Sequence, residues 1–74
     1  MHDVGQKTLE ALTQMFPERA VKARERATGN ILAVSFLHED RRLLMETPHE
    51  SDYRQQAPSW WIHRCAALIR EKTT

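Results

Sequence analysis

The sequence predicts a small α+β domain, with an all-α small bundle as the alternative. Three observations carry that expectation. Apolar residues recur at helical spacing from Trp61 to Ile69, and again through Leu9, Leu12 and Phe16. Between these stretches, Leu32, Val34 and Phe36 alternate with period two, as on one face of a strand. A chain of 74 residues is read as one domain, 1–74, whose core is thin for its surface.

The N-terminal part, 3–28, reads as a bent helix or helical hairpin. Asp3 is a candidate cap, and Gly5 continues the face of Leu9, Leu12 and Phe16. Pro17 cannot sit inside an unbroken helix without loss of a hydrogen bond, so a kink or restart is expected at Phe16-Pro17. Glu18 to Ala27 consists of strong helix formers with a face of Ala20, Ala23 and Ala27 and with Val21 at its edge. Gly29 and Asn30 then stop the helix.

The stretch 31–47 is expected to be a β-hairpin turning at Glu39-Asp40-Arg41-Arg42, with Leu43 to Thr47 returning. The competing helix would gather Leu32, Ala33, Phe36, Leu37, Leu43 and Leu44 but would place Asp40 in the middle of the stripe, and burying an unpaired carboxylate is costly. Residues 48–58 form a polar connector bounded by prolines, with one helical turn expected around Ser51 to Gln56. Tyr53 is its one large side chain, placed to dock on the core. The closing helix, 59–72, has Ser59 as candidate N-cap and Arg70 and Lys72 in the last turn, where the helix dipole favours cations.

Composition narrows the function. Eleven basic against ten acidic residues give a net charge of +1, too little to steer the whole chain to nucleic acid or membrane. No apolar run approaches the roughly 18 residues that span a bilayer, and the first residues lack the basic and apolar regions of a signal peptide. The expected setting is cytoplasmic. A single cysteine, Cys65, excludes an internal disulfide, so helix packing or a partner chain must supply what a small core lacks.

Sites of chemistry are scarce. His38-Glu39-Asp40, His49-Glu50 and His63 with Cys65 lack the short ligand spacings of a zinc site, so no metal and no cofactor is expected. Cys65 lies in mid-stripe between Trp61 and Leu68-Ile69, the place of a core cysteine rather than of an activated thiol. The chain therefore reads as non-catalytic, with no catalytic residue assigned.

Two binding readings remain. Adjacent tryptophans on a helix diverge by about 100°, so if Trp61 faces the core, Trp60 does not. Arg64, one turn on, can stack over Trp60, and Ala67 and Glu71 continue that flank. Trp60, Arg64, Ala67 and Glu71 are thus the expected contact surface of a protein-interaction or regulatory protein, either a homodimer or one that docks on a larger protein. The alternative is a small DNA- or RNA-binding regulator that uses Arg19, Lys22 and Arg26, a basic stripe if 18–27 is helical, diluted by Glu18 and Glu25.

Overall fold

The computed structural model describes residues 1–27, 30–48 and 52–74. Its order is helix α1 (Asp3–Met15), a 3-10 turn (Pro17–Arg19), strands β1 (Lys22–Glu25), β2 (Leu32–His38) and β3 (Arg41–Glu46), a second 3-10 turn (Tyr53–Gln55) and helix α2 (Pro58–Lys72). The strands form one antiparallel sheet in the order β1-β2-β3. The α+β class is therefore the fold of this chain, and the all-α alternative is excluded. The expected stop at Gly29, the pair His49-Glu50 and the start of the turn at Ser51 lie outside the described residues.

One side of the sheet builds the core. Leu32, Val34 and Phe36 of β2 are fully buried against Leu12 of α1 and Trp61, Cys65, Ala66 and Ile69 of α2. Register carries the same face onto both neighbours, because Ala23 pairs with Val34, Val34 with Met45, and Phe36 with Leu43. The other face points outward, with Leu44 61% exposed and Lys22, Arg24, Leu37 and Arg42 around it. Thr47 closes the open end of the hairpin: Leu32 N–H donates to its hydroxyl at 2.9 Å, and its own N–H donates to Leu32 carbonyl at 3.1 Å.

The second helical segment expected over 18–27 is the end of a 3-10 turn followed by strand β1 (Lys22–Glu25) instead. Pro17 opens a single 3-10 turn, and Ala20 takes a left-handed conformation (φ 47°) that ends it. From Val21 onward the chain alternates Val21, Ala23 and Glu25 toward the helices with Lys22, Arg24 and Arg26 away from them. Helix propensity is a weak preference of a few tenths of a kcal/mol per residue, and pairing along β2 overrides it. The caps also differ from expectation. His2, not Asp3, caps α1, its Nδ1 accepting from Val4 N–H at 3.2 Å. Helix α2 begins at Pro58, whose missing N–H costs nothing at a first helical position, and Ser59 lies inside it.

The hairpin turn is tighter than the four-residue cluster expected. His38 pairs with Arg41, leaving Glu39 and Asp40 as a two-residue loop with φ of 50° and 64°. Positive φ at both central residues suits the right-handed twist of the strands but favours Asn-Gly over Glu-Asp. Glu39→Asn together with Asp40→Gly is expected to stabilise the fold by about 1 kcal/mol, since left-handed backbone costs L-residues roughly that much each, less the added chain entropy of glycine. Urea unfolding checks it: the midpoint rises while the slope stays the same.

Candidate functional site

Helix α2 sorts its side chains between core and solvent, and the two tryptophans mark the boundary. Trp61 is 2% exposed and Trp60 is 45% exposed. Both follow from the turn angle of the helix, since Cys65, Ala66 and Ile69 occupy the buried face with Trp61. Trp60 stands edge-on to Trp61, with ring centroids 4.6 Å apart and planes at 84°. The guanidinium carbon of Arg64 lies 5.6 Å from the Trp60 ring centroid, the cation–π contact expected from their spacing.

Beside the exposed indole runs an open groove of about 660 Å³. Gln56 and Ala57 of the connector bound one end, and Trp60, Arg64, Ala67 and Leu68 line its length. The small side chains Ala57 and Ala67 create the hollow under the indole. Glu71 is exposed on the same helical face, beyond the groove. The four residues expected to form one contact surface therefore share a solvent-facing side of α2, and three of them share a groove.

What holds Trp61 inward, and so turns Trp60 outward, is Tyr53. Trp61 Nε1–H donates to the Tyr53 carbonyl at 2.7 Å, and Tyr53 N–H donates to the Asn30 carbonyl at 3.1 Å. The fully buried phenol donates a short hydrogen bond to Glu25 Oε1 on β1. The backbone N–H of His2 reaches the same oxygen at 3.4 Å. A methyl group at Gly5 would come within 2.9 Å of the Tyr53 hydroxyl, so glycine makes room for the phenol at the start of α1. The docking of Tyr53 was expected. Its partners were not, because Glu25 was placed on a helix and Gly5 only on the apolar face of the first helix.

These contacts set the electrostatics. The Tyr53 hydroxyl, followed in effect by the His2 backbone, holds the Glu25 carboxyl below its ordinary value. Burial, reinforced by the bond to Glu25, pushes the Tyr53 phenol well above its ordinary value. Next door, Arg54 grips Asp52 through Nε at 2.7 Å and 2.9 Å, which pulls that carboxyl down to about 2.

The other candidates fare differently. Arg19, Lys22 and Arg26 do not form a helical stripe, because the segment that carries them is a 3-10 turn followed by β1. Arg19 lies 3.4 Å from His38 Nδ1, Lys22 faces out from the sheet, and Arg26 is paired with Glu46 at 2.7 Å. The row of phosphate contacts that motivated the nucleic-acid alternative is therefore split among three surroundings. Cys65 is buried, and desolvation pushes its thiol up to about 11, so it stays protonated at neutral pH. Among the described residues, no three or more of His, Cys, Asp and Glu converge as metal ligands, and no helix is long and apolar enough to cross a membrane.

No known protein family, curated protein or solved structure matches this chain.

The Tyr53–Glu25 bond has a pH signature. Glu25, lowered in the folded state, contributes stability that is full above its ordinary value of 4.5 and is lost as pH falls through the lowered one. Tyr53, raised, contributes stability that is full below its ordinary 10.0 and is lost as pH climbs beyond it. Because Tyr53 is the only tyrosine, ultraviolet absorbance reads it directly. At pH 10.0 the folded chain is expected to show little tyrosinate, which then appears together with loss of the far-ultraviolet circular dichroism. Half-ionisation at pH 10.0 with the fold intact would contradict the bond.

Proposed function

We propose that this chain is a small non-catalytic protein-interaction or regulatory protein of the cytoplasm, which self-associates or docks on a larger protein through the exposed flank of α2. The observation that carries the reading is Trp60: 45% exposed, at the rim of a groove, with an arginine held against its face. Tryptophan and arginine are the side chains most enriched at binding hot spots, where both are desolvated by a partner. Covering an indole in this position returns hydrophobic free energy that folding alone leaves unrealised.

Arg64 serves the same surface in two ways. Its stacking on Trp60 restricts the indole before any partner arrives, which lowers the entropy lost on contact. Its charge is not taken up by any carboxylate among the described residues, so it remains available to a partner.

Comparison of the two tryptophans tests this reading. Trp60→Ala removes the edge-to-face contact with Trp61 and the Arg64 stack and is expected to cost about 1–2 kcal/mol in urea unfolding, while abolishing association. Trp61→Ala leaves a cavity and strands the Tyr53 carbonyl, with an expected cost of about 3–5 kcal/mol. If Trp60→Ala leaves association unchanged, or destabilises the fold as much as Trp61→Ala does, the flank is not the contact surface.

A further inference from the structure

Trp60, Arg64, Ala67 and Glu71 of α2 are all exposed and step by four, three and four residues, so they form one seam along the helix, and Thr74 follows just beyond its end. The apolar members of the seam are Trp60 and Ala67, so the charges between them set the register in which a second helix can pack. The charges on this seam are self-complementary: Arg64 lies three residues before Ala67, and Glu71 lies four residues after it. Neither makes an ion pair within the chain among the described residues.

We infer that the occupant of the α2 flank is a second copy of this chain, its α2 packed antiparallel across a two-fold axis at Ala67. This inference rests on the proposed contact surface and names its partner.

A two-fold axis at Ala67 brings residues with numbers that sum to 134 to the same height. Ala67 then meets the partner's Ala67, and the small side chains let the two backbones approach closely. Arg64 lies about 4.5 Å from the axis and Glu71 about 6 Å from it, at 1.5 Å of rise per residue. The offset of about 1.5 Å is within the reach of an arginine, so Arg64 meets the partner's Glu71, and symmetry repeats the pair. Arg70 would be nearer in height, but it points away, its guanidinium carbon 5.6 Å from the Phe16 ring centroid.

Trp60, seven residues from the axis, falls beside the partner's Thr74. Helix α2 ends at Lys72, so the indole lies on the partner's last turn, where its N–H can donate to a backbone carbonyl that lacks a helical donor. Burial of Trp60 and neutralisation of Arg64 are thus achieved by the same arrangement. The outward face of the sheet offers a second copy no such match. Lys22, Arg24 and Arg42 share that face, and its carboxylate Glu46 is already paired with Arg26, so a two-fold pairing there would set excess positive charge opposite itself.

One helix pair buries less than a standard interface, so dissociation is expected on the order of micromolar concentration. Sedimentation equilibrium over a micromolar to millimolar series reads it, on the wild-type chain and on Arg64→Glu, Glu71→Arg and the double exchange. Neither position forms an ion pair among the described residues, so all three variants are expected to keep the wild-type circular dichroism, and loss of the Arg64 stack is expected to lower the melting temperature of Arg64→Glu and of the double exchange by only a few degrees.

The wild type is expected to reach twice its monomer mass. Each single exchange sets like charges together twice and is expected to weaken the dimer about tenfold or more, and the double exchange restores it. A chain that is monomeric throughout overturns the second copy but leaves the flank open to another protein. A dimer indifferent to every exchange and to Trp60→Ala overturns the flank as well.

Discussion

Four parts of the chain meet at one phenol ring and its peptide group. Tyr53 binds the Asn30 carbonyl through its N–H, receives the Trp61 indole on its carbonyl and reaches Glu25 with its hydroxyl, which also occupies the space left by Gly5. A polar connector of this length would otherwise cost backbone entropy without return. The three hydrogen bonds of Tyr53 and the burial of its aromatic ring are the contacts that tie the connector to the core. The same contacts tie β1 to the N-terminus of α1 and fix the rotation of α2 about its own axis.

That rotation is where fold becomes surface. With Trp61 bonded inward, helical geometry leaves no position on the core side for Trp60. The exposed part of the indole is apolar surface that folding of this chain leaves in water. The arrangement divides labour between the two faces of one helix. Trp61, Cys65, Ala66 and Ile69 close the core, and Trp60, Arg64, Ala67 and Glu71 are left as a continuous outer strip.

The parts legible from sequence are those whose cause is local. The α2 periodicity, the opposition of Trp60 and Trp61 and the alternation of Leu32, Val34 and Phe36 each follow from neighbours in the chain. The strand β1 was hidden because Glu18 to Ala27 is rich in helix formers, and its alternation, Val21 to Arg26, is short. Its deciding contact is pairing with β2, seven to thirteen residues away in sequence. Thr8 reads as polar surface but is fully buried, because its hydroxyl donates to the Val4 carbonyl at 2.7 Å within its own helix. The basic stripe of Arg19, Lys22 and Arg26 dissolved with the helix that would have aligned it. Glu25 likewise became a core partner only once β1 turned it toward Tyr53.

The central claim is that one indole is held in and the other is held out. Hydrogen exchange of the two indole N–H groups, followed by nuclear magnetic resonance, reads that division in a single sample. The Arg64→Glu chain, held below its expected dissociation constant of about ten micromolar or more so that it is monomeric, is the suitable form, and Trp60→Phe assigns the signals. The Trp61 proton, bonded to the Tyr53 carbonyl, is expected to exchange only as fast as the domain opens, and the Trp60 proton at the rate of a free indole. Two slow protons, or two fast ones, would contradict the account.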